Sequence, residues 1–297
     1  MPSIQSRAVE FLVRLLRVKR SSNRLRQRLA SGKRTYTEPT RRHRRKFHVT
    51  KSERDGHLVW TLAPKQNAGK KHVIYLHGGG YVNSFASQHW NFMTRLVAAT
   101  GCTITAPNYP HAPEYHVRDV FEFLLPLYAE VAAVAGSTNV TVMGDSSGGG
   151  ISLALVQLLR EKGREQPGNV VLLAPWLDAT MSNPEVRAYD KIDPFLGFEG
   201  LKYAASLYAT DIDPANYLAS PIYGSLRDLA PISLFIGTRD IFLPDCRKLR
   251  DKAAAEGVAL NYREYEAMLH DWMLISLPES KHALRQIVEI IAPWSNP

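Results

Sequence analysis

A serine framed by glycines two positions away on either side, Gly144-Asp145-Ser146-Ser147-Gly148, joins two apolar runs of the chain. Asn139-Val140-Thr141-Val142-Met143 is rich in β-branched residues and predicts a short strand, and Ile151 to Leu159 predicts a helix. A hydroxyl is a weak nucleophile. Chemistry at Ser146 therefore needs an exposed, sharp strand-to-helix turn, a base beside it, and amides at the helix start aimed at a developing oxyanion. Gly144 and Gly148 lack the Cβ atoms that would clash in so tight a turn. Ser147 does not fit as the centre of this pattern, because Asp145 stands where the flanking glycine would be.

A second constellation serves the same chemistry. The apolar run Val73-Ile74-Tyr75-Leu76 leads into His77-Gly78-Gly79-Gly80-Tyr81. Three consecutive glycines carry an entropic cost that is offset where backbone must approach something closely. The amides of Gly78 and Gly79, with that of Ser147, would make an oxyanion hole, and Gly80 supports the loop. His77 is expected to fix the loop through a backbone hydrogen bond rather than to move protons. A phosphate-cradling loop is the alternative, but no G-x-x-x-x-G-K-[ST] occurs and no G-x-G-x-x-G opens a helix.

In strand-turn-helix serine sites the partners follow in the order serine, acid, histidine. Eight of the ten histidines precede Ser146, leaving His270 and His282. His282 falls in the amphipathic stretch Lys281 to Ile291, where a histidine ordinarily packs or faces solvent. His270 follows the strand-like Asn261-Tyr262-Arg263-Glu264-Tyr265 across a short loop, the place for a general base. For the acid, the buried-type strand Ile232 to Gly237 ends at Thr238-Arg239-Asp240, so Asp240 is the expected partner of the imidazole. Its competitors are Asp178, Asp245, which reads as a helix N-cap, and Asp271, which sits too near His270 in sequence to be expected to reach its ring.

The set His77-Gly78-Gly79-Gly80, Gly144-Asp145-Ser146-Ser147-Gly148-Gly149, Ala219-Ser220-Pro221, Gly237-Thr238-Arg239-Asp240 and His270-Asp271-Trp272 resembles the hormone-sensitive-lipase-like family of microbial carboxylesterases. Asn108-Tyr109-Pro110-His111-Ala112-Pro113-Glu114 resembles that family's tyrosine-to-Ala-Pro-Glu loop, with Pro-His in place of its usual Arg-Leu, and Ser147 stands where Ala is commoner. The resemblance spans roughly residues 45 to 297. It implies an α/β-hydrolase fold and hydrolysis of short- to medium-chain carboxylic esters through an acyl-enzyme. It implies neither a metal nor an organic cofactor, and dimers that often form through the sheet-edge strand, here Tyr262 to Glu266. Asp145 and Glu114 read as braces of the glycine loop or as surface groups. An amidase, carbamate hydrolase or deacetylase would carry the same triad. A non-catalytic binding protein of the kind represented by plant gibberellin receptors has lost the histidine that this chain retains. No H-E-x-x-H or C-x-x-C suggests a metal site.

The elements needed to position these residues are present. Strand-like runs alternate with helical patterns at Gln88 to Ala99, Val117 to Ala135, Ser147 to Lys162, Asp245 to Glu256 and Ser280 to Ala292. That alternation predicts a mostly parallel sheet with helices on both faces. With 297 residues, 45% of them hydrophobic and 22% charged, the chain can bury one sizeable α/β core. Residues 46 to 297 form the expected catalytic domain, interrupted by a cap insertion at about 177 to 217. Phe195, Leu196, Phe198, Leu201 and Tyr208 give that insertion apolar surface. Tyr81, Phe85, Trp90, Phe198, Tyr208 and Trp272 are the aromatic candidates for a substrate pocket, with plain packing as the alternative for each.

Residues 1 to 45 are a separate basic helical segment. Through residue 54 the chain has seventeen Lys or Arg against three Glu, a net of 17 − 3 = +14, so the remainder carries 9 − 14 = −5. Val9, Leu12, Val13 and Leu16 fall at helical spacing beside Arg7, Arg14, Arg17, Lys19 and Arg20. Two readings of this arm stand together: a cap over the site, and a peripheral contact with an anionic membrane. Nucleic acid is disfavoured, because almost no aromatic residues beyond Tyr36 and Phe47 interleave the charges. Charges interrupt every apolar run well short of the ~18–20 residues a bilayer span requires, and no export signal is read. Cys102 and Cys246 read as reduced packing residues, which points to the cytoplasm.

Overall fold

The short apolar runs assemble into one eight-stranded sheet in a computed structural model that describes residues 2–16, 18, 19 and 24–292. The strands are β1 (Phe47–Arg54), β2 (His57–Pro64), β3 (His72–Leu76), β4 (Thr103–Pro107), β5 (Val140–Asp145), β6 (Asn169–Leu173), β7 (Ile232–Gly237) and β8 (Leu260–Tyr265). Their order is β1-β2-β4-β3-β5-β6-β7-β8. The β1–β2 and β2–β4 pairs are antiparallel, and every other pair is parallel. All residues of β5 and β7 are buried. Because successive strand side chains point to opposite faces, both faces of the sheet must be covered, as in parallel sheets generally.

The five expected helices lie at Ser87–Thr100 (α4), Val117–Ala135 (α5), Ser147–Glu161 (α6), Leu243–Glu256 (α9) and Pro278–Ile291 (α10). Asp245 is not the N-cap of α9. Phe242 takes that position and Asp245 sits in the first turn, accepting a hydrogen bond from Asn183 at 2.8 Å. The β1–β2 hairpin was not anticipated. It turns at Asp55-Gly56, where φ values of 49° and 77° match the twist of the flanking strands.

The N-terminal arm supplies α1 (Ile4–Leu15), α2 (Leu25–Ala30) and α3 (Arg41–Lys46), and the insertion supplies α7 (Pro184–Tyr189) and α8 (Phe198–Tyr208). α2 packs against α8, with the Arg26 guanidinium over the Tyr203 ring at 5.7 Å. Arg17 and Arg20 of the expected basic stripe lie outside the described residues.

Candidate active site

Register brings the candidate residues to one end of the sheet. Leu76 pairs with Gly144, Asp145 with Leu173, and Gly237 with Tyr265, so the loops after β3, β5, β7 and β8 emerge side by side at the strands' carboxyl ends. In an open α/β sheet that is where ligands bind. Ser146 occupies the turn after β5 with φ 53° and ψ −123°, outside the comfortable regions for a residue with a side chain. Such a conformation costs about 1–3 kcal/mol and persists only where its surroundings fix it. Here Ser146 N donates to Leu173 O at 2.9 Å, and Ser146 O accepts from Trp176 N at 2.9 Å and Gly149 N at 3.0 Å. Glycine at 148 is obligatory, because a Cβ there would stand 2.0 Å from Leu76 O.

The glycine loop rests on a buried carboxylate. Asp145 Oδ1 accepts from the Tyr75 hydroxyl at 2.5 Å, and Oδ2 accepts from Gly78 N at 3.0 Å and lies 3.2 Å from His89 Nε2. His89 Nδ1 accepts from Ala86 N, which leaves its proton on the side facing Asp145. Burial disfavours charge on His89, yet the Asp145 carboxylate outweighs it and raises the imidazole pKa. This network corrects one expectation: the Gly78 amide is committed to Asp145 and is not free to hold an oxyanion. The amides of Gly79, Gly80 and Ser147 have no acceptor among the described residues. Gly79, at φ 139°, holds a conformation that only glycine adopts readily, and its carbonyl accepts from Asn83 N and Nδ2 at 3.1 Å each.

His77 donates from Nδ1 to Gly78 O at 2.8 Å, and its carbonyl accepts from the Tyr109 hydroxyl at 2.7 Å. Burial pushes its pKa down to about 3, so the ring is a neutral strut. Glu114 does not reach the glycine loop. It is an exposed carboxylate that grips Arg34 of the N-terminal arm at 2.5 Å.

His270 and Asp240 meet between the β7 and β8 loops. Thr238 N bonds to Tyr265 O and Arg239 N to Met268 O, each at 3.0 Å, which ties the two loops together. His270 Nδ1 then donates to Asp240 Oδ2 at 2.8 Å, while Asp240 Oδ1 accepts from Phe242 N at 2.9 Å. The Phe242 ring stands edge-on to the imidazole at 5.3 Å. Asp178 is engaged elsewhere, its carboxylate taken up by the hydroxyls of Thr180, Ser182 and Tyr223.

Asp271 departs from expectation. Its left-handed backbone, φ 51° and ψ 27°, folds the side chain back so that Oδ2 lies 3.1 Å from His270 Nε2. His270 thus has a carboxylate at each ring nitrogen. Burial presses its pKa down, but Asp240 and Asp271 together raise it well above the ordinary histidine range. Asp193, which the sequence reading passed over, is a further buried carboxylate. It accepts from Phe195 N at 2.6 Å, Leu196 N at 2.9 Å and Ile241 N at 2.9 Å, fastening the insertion to the Asp240 loop.

Ser146 and His270 line one cavity of about 350 Å³, together with Gly79, Gly80 and Asp271. Its apolar wall comes from Val18 and Leu25 of the arm, Phe195, Leu196 and Leu201 of the insertion, and Leu274. None of Tyr81, Phe85, Trp90, Phe198, Tyr208 and Trp272 lines it. These rings are buried packing: Tyr81 stacks on Tyr208 with centroids 3.8 Å apart, Phe85 lies against Trp90 and His77, and Trp272 against Tyr265.

This geometry has counterparts among known proteins. Residues 73–274 match a family model described as an alpha/beta hydrolase fold. The chain is 28% identical over 222 residues to an esterase of Acinetobacter venetianus, covering 73% of each. It is 28% identical over 236 residues to an acetyl-hydrolase of Streptomyces hygroscopicus, covering 77% of this chain and 78% of that one. It superposes with a TM-score of 0.78 and 26% identity on a crystal structure of an esterase from the bacterial hormone-sensitive lipase family, covering 93% and 97% of the two chains. The chain belongs to the α/β-hydrolase family, in the branch of the bacterial hormone-sensitive-lipase-type esterases.

Proposed function

We propose that the chain is a serine carboxylesterase of short- to medium-chain esters, with Ser146 as nucleophile, His270 as general base and acid, and Asp240 as the group that orients the imidazole. One observation carries the reading: Ser146, on its strained turn, and His270, tied to Asp240, open into the same cavity beneath the glycine loop. As the Ser146 oxygen attacks the ester carbonyl, His270 Nε2 takes its proton. The Gly79, Gly80 and Ser147 amides receive the tetrahedral oxyanion. His270 returns the proton to the departing alcohol, leaving an acyl-serine, and a water deprotonated by His270 then releases the acid. Residues 1–45 and about 177–217 together act as a cap, supported by Val18, Leu25, Phe195 and Leu196 meeting over the site. The two cysteines are buried, and burial raises the Cys102 thiol pKa to about 11, which suits inert packing residues in the cytoplasm.

A series of p-nitrophenyl esters tests the substrate class. A cavity of about 350 Å³ lies at the small end of the ~300–1,000 Å³ usual for ligand sites. Turnover is expected to peak between acetate and hexanoate and to fall for palmitate. A rate that rises steadily to palmitate, or no ester turnover beside amide cleavage, contradicts the proposal.

Asp271 adds to Asp240 in setting the pH dependence. The base must be neutral to accept a proton, so kcat/KM is lost as pH falls through the raised pKa of His270. Asp271→Asn removes one of the two negative partners, lowers that pKa, and moves the acid limb of the profile to lower pH. An acid limb that stays in place shows that Asp271 does not act on the imidazole.

A further inference from the structure

Helix α1 is fastened by its polar side and leaves its apolar side outward. Ser3 N and Oγ donate to the Glu279 carboxylate at 2.6 and 2.9 Å, and the Ser6 hydroxyl donates to the same group at 3.2 Å. Glu10 pairs with Arg239, and Arg14 donates to Ile192 O at 3.3 Å. On the opposite face Ile4, Phe11 and Leu15 are 82%, 66% and 63% exposed, with Leu12 and Leu16 beside them at 50% and 72%. Positions 4, 11 and 15 fall on one helical face, and Arg7 and Arg14 run along its edge. A surface helix ordinarily buries its apolar stripe, and an outward one of this extent marks an interaction site.

We propose that α1 docks on an anionic lipid bilayer, with Ile4, Phe11 and Leu15 entering the boundary between headgroups and acyl chains and Arg7 among the headgroups. Charge selects this occupant. The +14 of residues 1–54, the segment that includes this helix, accounts for all the positive excess of the chain, against −5 over the rest. That segment is attracted to an anionic surface and repelled by the same segment of a second copy. The contact is peripheral: among the described residues no helix is long and apolar enough to cross a membrane. Val18, Leu25 and Arg28, which follow α1 in the chain, line the cavity above Ser146, so docking would bring the mouth of that cavity near the lipid surface. The docking itself does not depend on the esterase reading.

Sedimentation of the full chain with vesicles tests it, using phosphatidylglycerol mixed with phosphatidylcholine against phosphatidylcholine alone. Binding is expected only to the anionic vesicles and is expected to weaken as salt is raised. The double variant Phe11→Asp/Leu15→Asp is expected to lose about tenfold or more of that binding. It should hydrolyse dissolved p-nitrophenyl butyrate at the unaltered rate, since both positions face away from the fold. Failure of the unmodified chain to bind anionic vesicles, equal binding to both kinds, or full binding by the double variant overturns the proposal. So does a dimer, seen by light scattering, that the double variant dissolves while neither protein binds vesicles, because the stripe then belongs to a second copy.

Discussion

Ser146→Ala is expected to lower kcat on p-nitrophenyl butyrate on the order of 10⁶-fold while leaving the fold intact. In the proposed mechanism the lost oxygen is the atom that forms the acyl intermediate, and what remains is binding and the amide donors. The fold should be indifferent because the turn is held by backbone bonds of Ser146 N and O, none of which uses the hydroxyl. Alanine also keeps the Cβ and meets the same backbone strain as serine at φ 53°. Steady-state rates and a thermal melt check both halves. A variant with wild-type turnover removes Ser146 from the mechanism, and one that unfolds shows the hydroxyl to be structural.

Asp240→Asn is expected to cost about 10⁴ in kcat with little change in KM. The carboxylate accepts the proton of His270 Nδ1 at 2.8 Å, which in the proposed mechanism leaves Nε2 as the unprotonated nitrogen that receives the serine proton. An amide at 240 can offer its own N–H to Nδ1 instead, which drives the imidazole proton to Nε2. In this chain the neighbouring Asp271 would reinforce that error, because its carboxylate already lies 3.1 Å from Nε2 and would accept the misplaced proton. The double variant Asp240→Asn/Asp271→Asn should therefore recover part of the loss. The bond from Phe242 N survives through the Asn carbonyl, so stability should change little. A small loss in Asp240→Asn, with a large one in Asp271→Asn, would exchange the roles of the two acids.

The parts of this site that were legible in the sequence are those set by local composition. Short apolar runs such as Val170 to Ala174, bounded by turn residues, read as strands buried on both faces, and glycines at 144 and 148 signal a turn without room for side chains. The β1–β2 hairpin was equally local, with Asp55-Gly56 as its turn, but the basic charges of Lys51 and Arg54 obscured the strand pattern around it.

What escaped depends on contacts between distant segments. Size and hydrophobicity said that Tyr81 and Tyr208 would be buried. Whether they face a cavity or each other depends on how the insertion packs, and they stack. Asp271 looked too close to His270 to reach it, which holds for extended backbone and fails for a left-handed residue. The Gly78 amide appeared free because its acceptor, Asp145, lies 67 residues away on the neighbouring strand. Asp193 gave only an Asp-Pro pair within the insertion, and its three amide partners are visible solely in the folded chain.

The most direct measurement is to inactivate the protein with diethyl p-nitrophenyl phosphate and locate the label by peptide mass spectrometry. One diethylphosphoryl group is expected, carried by the Ser146 oxygen, with loss of esterase activity in proportion to labelling and no label in Ser146→Ala. A label on Ser147 or any other residue, or complete inactivation with Ser146 unmodified, would contradict it.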